Sequence, residues 1–232
     1  MAAAVLITGA NRGLGFEFAR QYSTDGWRVL AACRNPATAS ELRRLAQDRS
    51  GRLNVVAMDV TDAESVKNAA TQLKDVAIDL LINSAGIAGV PGQKTGNVDY
   101  DSWAQVLNVN TMGPLRVLES FSDHIVGSER RLVVTITSGM GSLTENTSGG
   151  SIAYRSSKAA VNMVMRSAAI DLAPSGITCV LVNPGWVRTD MGGPKAPLSP
   201  QESVTAMRQL IETLGPDQSG KFYNYDGREY PW

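Results

Sequence analysis

The chain has 232 residues, the length of one large α/β domain, although length alone also allows two small ones. Hydrophobic residues make up 43% and charged residues 19%, enough to bury a sizeable core, which excludes a disordered chain. Its 22 Lys and Arg balance 22 Asp and Glu, which argues against a nucleic acid or an anionic membrane surface as the main partner. The longest apolar run, Met1–Ile7, falls far short of the ~20 residues of a membrane span. A strand-like run from Ala3 or Ala4 leaves no room for a targeting peptide. Cys33 and Cys179 lie in apolar runs with no metal-ligand partners nearby, so two reduced core thiols in a cytoplasmic protein are expected, with no metal.

In chain order, Ala4–Ile7, Trp27–Ala32, Asn54–Met58, Leu80–Ile82, Leu132–Ile136, Thr178–Val182 and Lys221–Tyr223 read as strands. Several are apolar on successive residues, as in parallel strands covered on both faces. Between them Gly15–Thr24, Ala37–Gln47, Ala63–Leu73, Ser102–Ile125, Ala153–Leu172 and Pro200–Leu214 read as helices. Asp62 and Asp101 suit N-caps, and Gly26 and Gly176 suit helix ends. The alternation predicts an α/β, Rossmann-like, doubly wound parallel sheet of about seven strands, helices on both faces, with 1–232 as one domain. In such sheets the ligand sits at the carboxyl ends of the strands, so function should cluster just after each strand.

After the first strand comes Thr8-Gly9-Ala10-Asn11-Arg12-Gly13-Leu14-Gly15. Gly9, Gly13 and Gly15 permit a tight turn and close backbone approach to a pyrophosphate, which the helix N-terminus then faces. A P-loop would end in Gly-Lys-Ser/Thr, which is absent. The second strand ends in Ala31-Ala32-Cys33-Arg34-Asn35, with no acid for a ribose 2′-hydroxyl. Arg34, joined by Arg12 from the loop, instead suits a 2′-phosphate, which favours NADP(H) as cofactor. Asp59 and Val60 follow the third strand, where an adenine edge would lie. Asn83-Ser84-Ala85-Gly86 after the fourth offers small residues where a ribose must pass.

Tyr154 and Lys158 form the one Tyr-x3-Lys in the chain and share a helical face. A free tyrosine titrates near ~10, and a fixed ammonium one turn away is expected to lower that value. An ordinary surface pair has the same spacing, so context matters. Ser138 ends the fifth strand, where its hydroxyl can hold a substrate oxygen or form a turn. Asn110 sits inside a predicted helix, an unfavourable place unless its amide has a partner.

These motifs, in this order, resemble the short-chain dehydrogenase/reductase family over nearly its full single domain. They are Thr8-Gly9-x3-Gly13-x-Gly15, Asn83-Ser84-Ala85-Gly86 (more often Asn-Asn-Ala-Gly), Asn110, Ser138, Tyr154-x3-Lys158, and Pro184-Gly185 with Thr189. The likeness narrows toward C-factor-like and Sniffer-like carbonyl reductases through Ser138–Ser142, Asn146–Gly150 and the tail from Ser219 to Trp232. Ser138 stands sixteen residues before Tyr154, a few more than is common, so a loop must fit between them, with Ser142 a weak substitute.

The resemblance implies that Tyr154 protonates the carbonyl oxygen, Lys158 holds the nicotinamide ribose, and Ser138 polarises the carbonyl. Asn110 would position a relay water. Pro184, Gly185, Trp186, Val187 and Thr189 would border the nicotinamide, and Asn11, Leu14 and Ala85 would complete the cofactor cradle. It also implies a small carbonyl or alcohol substrate and a homo-oligomer, dimer or tetramer. The leading expectation is an NADPH-dependent carbonyl reductase. A dinucleotide-binding signalling protein of the C-factor type, with turnover secondary, is the alternative. A steroid- or sugar-directed enzyme of the same fold would differ only in substrate.

His124 lies near the end of a predicted helix, a position that explains it better than catalysis does. Trp186, Met191 and the stretch Gly192–Pro197 form either a flap or an irregular loop. Trp103, Val106, Leu107, Leu115, Leu118 and Phe121 read as core packing first, though in the resembled family this long helix and the Tyr154 helix often form a subunit interface.

Overall fold

β-branched and apolar runs alternate with amphipathic stretches, and in the computed structural model, which describes residues 2–49 and 51–232, they become strands and helices. Met1, the head of the apolar run, lies outside the described residues. The strands are β1 Ala4–Thr8, β2 Arg28–Cys33, β3 Leu53–Ala57, β4 Leu80–Asn83, β5 Leu132–Ile136, β6 Thr178–Asn183 and β7 Phe222–Asn224. They form one sheet of order β3-β2-β1-β4-β5-β6-β7 with every pairing parallel. β1, β5 and β6 are buried at every position, as their unbroken apolar runs require.

The helices are α1 Gly13–Thr24, α2 Ser40–Asp48, α3 Ala63–Gln72, α4 Tyr100–Leu107, α5 Gly113–Val126, α6 Ile152–Asp171 and α7 Pro200–Thr213. Period-two alternation splits the core into two layers. Val5 and Ile7 of β1 pack with Phe18 and Tyr22 of α1 and with Met207 and Ile211 of α7. Leu6 packs on the other face with Phe121 of α5 and Val161 and Met165 of α6. Among the described residues no helix is long and apolar enough to cross a membrane. Cys33 and Cys179 are buried free thiols.

Most boundaries fall within two residues of expectation, and three features differ. The stretch expected as a helix over Ala37–Gln47 begins as a 3₁₀ turn, Pro36–Thr38, capped by Asn35, and the α-helix starts at Ser40. Asp99, not Asp101, caps α4, its carboxylate accepting from the Ser102 amide at 2.9 Å. The helix expected over Ser102–Ile125 is interrupted by a π-turn, Asn108–Met112, in which the Gly113 N–H reaches back to the Asn108 carbonyl. Pro114 explains the interruption: it lacks the N–H that would bond the Asn110 carbonyl in an α-helix.

Candidate active site

β1 and β4 are neighbours, while the chain leaves β1 toward β2 on the other side, so the switch in strand order falls between their carboxyl ends. Thr8 fastens that point. Its hydroxyl oxygen accepts the N–H groups of Ser84 and Ala85, both at 3.0 Å. Gly9 turns at φ +66°, and a Cβ there would lie 2.8 Å from the Ala85 Cα. A Cβ on Gly15 would lie 2.4 Å from the Gly9 carbonyl oxygen. Both glycines are therefore required by close backbone approach.

A cleft of about 1170 Å³ runs along this carboxyl edge. It brings together the residues expected from the sequence except Asn83, Asn110 and the weak substitute Ser142. Asn83 is 2% exposed, and its amide nitrogen reaches the Pro114 carbonyl and the Thr135 hydroxyl, so it braces β4 instead of lining the cleft. Asn110 is likewise buried. Its oxygen accepts from the Ile87 amide at 2.9 Å, and its nitrogen donates to the Ile87 carbonyl and the Ser157 hydroxyl. Both amide hydrogens are thus engaged within the protein. What Asn110 does is tie the loop after β4 to α6.

At one end of the cleft, Arg34 is exposed and its guanidinium has no hydrogen-bond partner among the described residues. Arg12, also on the cleft, pairs with Asp190 at 2.9 Å. Asp59 lines the cleft while one carboxylate oxygen accepts from the Thr61 amide and hydroxyl. Val60 lies beside it, its carbonyl bonded by Arg116. Glu41, an exposed acid of α2, also lines this wall; it sits far from any glycine motif, and nothing in its sequence context signals it.

At the other end, Ser138, Tyr154 and Lys158 converge. Ser138 caps a 3₁₀ turn, Gly139–Gly141, its oxygen accepting from the Met140 amide at 3.1 Å, which leaves its own proton to donate. Lys158, 5% exposed, donates to the Ile136 carbonyl at 3.0 Å and stands 5.7 Å from the Tyr154 ring centre. Burial pushes its ammonium down to about 8. The expected lowering of the Tyr154 phenol is not seen. Burial raises it, opposed by a hydrogen bond with Ser138. The reason is that the low-dielectric pocket penalises phenolate, while Lys158 directs a hydrogen at Ile136. Ser142 cannot substitute for Ser138. It is 2% exposed, lies off the cleft, and donates its hydroxyl to the Trp232 backbone oxygen.

The stretch after β6 forms one wall through Pro184, Gly185, Trp186, Val187 and Thr189. Within this stretch the Trp186 indole donates to the Gly192 carbonyl at 2.8 Å, and Arg188 to the Ala196 carbonyl at 2.8 Å. His124 lies in the last turn of α5, its Nε2 3.1 Å from the Ala70 carbonyl, a tie to α3 away from the cleft.

Comparison with known proteins agrees with this geometry. The C-signal of Myxococcus xanthus is 46% identical over 163 residues, 70% of this chain and 98% of that protein. A carbonyl reductase from chicken fatty liver, solved with NADPH bound, matches at TM-score 0.93 and 33% identity, covering 100% of this chain and 99% of that one. The carbonyl reductase Sniffer of D. melanogaster matches at TM-score 0.93 and 32% identity, with 100% of both chains covered. The family model of short chain dehydrogenases matches residues 3–198, and the chain belongs to that family of oxidoreductases.

Proposed function

We propose that the protein is an NADPH-dependent reductase of ketones or aldehydes, working reversibly on the corresponding alcohols. The observation that carries this reading is the convergence of Ser138, Tyr154 and Lys158 in the same cleft as the glycine loop and Arg34. The donor set fits NADPH. An unpaired guanidinium at Arg34, with no carboxylate between Ala31 and Asn35, suits a 2′-phosphate. The amides at the start of α1 suit a pyrophosphate. NADP-bearing relatives such as the chicken liver carbonyl reductase support the same choice.

When bound, the cofactor supplies hydride chemistry. The chain's own residues supply orientation and a proton. Ser138, beside Tyr154, would donate its hydroxyl hydrogen to the substrate carbonyl oxygen. Tyr154 donates its phenolic proton to the same oxygen, and the burial that raises its pKa keeps it protonated at neutral pH. Lys158 would hold the ribose end of the cofactor and remains a cation at neutral pH, since its value is about 8. Asn110 and Ser157 hold the Tyr154 turn, because Ser157 donates to the Tyr154 carbonyl at 2.8 Å while accepting from Asn110.

NADPH oxidation measured against a panel of ketones, quinones, aldehydes and diketones tests the proposal. Turnover of at least one class supports it. Tight NADPH binding with no turnover across the panel would favour the alternative of a dinucleotide-binding signalling protein, which the 46% identity to the C-signal supports.

A further inference from the structure

The loop after Ser138 is held from three sides. On the α6 side, Gly141 approaches so closely that a Cβ would lie 2.8 Å from the Lys158 carbonyl carbon. On the β6 side, the Gly139 amide donates to the Asn183 side-chain oxygen at 2.9 Å, and Asn183 donates to Asn224 at 2.9 Å. The third side is the end of the chain. The Trp232 backbone oxygen accepts the Ser142 hydroxyl at 3.0 Å and the Thr144 amide at 2.9 Å. A Cβ on Gly139, next to Ser138, would meet the Tyr230 hydroxyl oxygen at 2.7 Å.

The end segment is itself anchored to the core. The Tyr230 amide donates to the Phe222 carbonyl at 2.7 Å, and Glu229 bridges Tyr223 antiparallel to β7. The rings of Tyr230 and Trp232 sit 5.0 and 5.6 Å from Phe222, which is 1% exposed. The Arg166 guanidinium lies 5.2 Å over the Trp232 ring and donates to the Gly220 carbonyl. Beyond Thr144 the loop is solvent-exposed as far as Ser151, and Leu143 is 78% exposed. The end segment therefore supplies much of what fixes the loop.

We propose that Tyr230 and Trp232 are positioning residues for Ser138, holding the loop that sets the Ser138 hydroxyl toward Tyr154. The proposal rests on the reading that Ser138 and Tyr154 act on a carbonyl oxygen. A loop shifted by a fraction of an ångström leaves the glycine loop after β1 and Arg34 after β2 in place but lowers the reaction rate.

The test uses the full chain, NADPH and whichever carbonyl compound of the panel turns over. Trp232→Ala should lower kcat roughly ten- to hundredfold while KM for NADPH stays within about twofold. Trp232→Phe keeps a ring on Phe222 and under Arg166, and should recover most of the rate. Gly139→Ala, which presses on Tyr230 from the loop side, should give the same kcat-only loss. Should Trp232→Ala melt below the assay temperature, Arg166→Ala reads the same split: a kcat loss supports the proposal and an unchanged kcat overturns it. Wild-type kcat in Trp232→Ala, or equal loss in the Phe variant, also overturns it. Ser138→Ala separates the two ideas. If it loses turnover and Trp232→Ala does not, only the positioning role fails; if Ser138→Ala keeps full turnover, the catalytic reading fails and takes this one with it.

Discussion

Arg12 and Asp190, 178 positions apart in sequence, form a 2.9 Å ion pair between the glycine loop and the loop after β6. The two loops meet here, since a Cβ on Gly13 would lie 3.6 Å from the Thr189 methyl. Both side chains are largely exposed, 69% and 78%, so the pair contributes at most ~1 kcal/mol and yields readily to a stronger anion. Arg34 has no such competitor, so it is expected to contribute more than Arg12 to binding a 2′-phosphate.

Cofactor preference follows from this difference. A charge-assisted hydrogen bond contributes ~1.5–3 kcal/mol, so Arg34→Ala should raise KM for NADPH roughly tenfold or more and leave KM for NADH nearly unchanged. Arg12→Ala should act in the same direction but less, because Arg12 must first leave Asp190. Cys33→Asp, at the buried end of β2 beside Arg34, should shift preference toward NADH by repelling the phosphate. Steady-state kinetics with both cofactors checks all three. Equal use of NADH and NADPH by the unmodified protein would make both arginines mere surface residues.

Removing the proton donor should be nearly neutral for folding and severe for rate. Tyr154→Phe deletes one hydroxyl at a half-buried position, so cofactor binding should persist. Turnover should fall by the ~10²–10⁴ typical of general acid–base catalysis. Fluorescence titration with NADPH alongside turnover separates the two effects, and near wild-type turnover would rule out Tyr154 as the acid.

Lys158 makes stability depend on pH. Its folded value is about 8, below the ordinary 10.5, because burial disfavours the ammonium. Between about pH 8 and pH 10 the unfolded chain keeps a proton there that the folded chain has released. Stability attributable to this residue therefore rises with pH across that window, and its penalty is fully present below about pH 8. Lys158→Met should remove the rise. Denaturant unfolding of both proteins at pH 7, 8, 9 and 10 should show the unmodified chain gaining on the variant; parallel curves would contradict the burial argument.

Two glycines with the same backbone hand should respond differently to alanine. Gly26 turns at φ +85° into open space, so Gly26→Ala should carry only the left-handed backbone cost of roughly 1 kcal/mol. Gly9 turns at φ +66° against the Ala85 backbone, so Gly9→Ala adds an overpacking cost of about 1–3 kcal/mol. It should also weaken NADPH binding, since the Thr8–Ala85 contact shapes the cleft. Thermal melts of the two variants with and without NADPH measure both effects, and equal melts would contradict the close approach.

The sheet, its parallel sense and most of the cleft were legible in the sequence alone because they depend on local signals. Apolar runs fix buried strands, and glycine spacing fixes the turn after β1. Tyr154 and Lys158 share a helix, so their adjacency follows from 3.6-residue periodicity. Contacts between distant segments were not legible. Asn83 and Asn110 carry family motifs yet face inward, because buried amides must find partners and theirs lie on α5, β5, α6 and the loop after β4. The direction of the Tyr154 shift was likewise decided by tertiary burial, which outweighs an ammonium one turn away. Arg12 meeting Asp190, and Trp232 fastening the loop beyond Ser138, join residues 178 and 90 positions apart. No local pattern encodes such pairs; only the packing of the whole sheet brings them within hydrogen-bond reach.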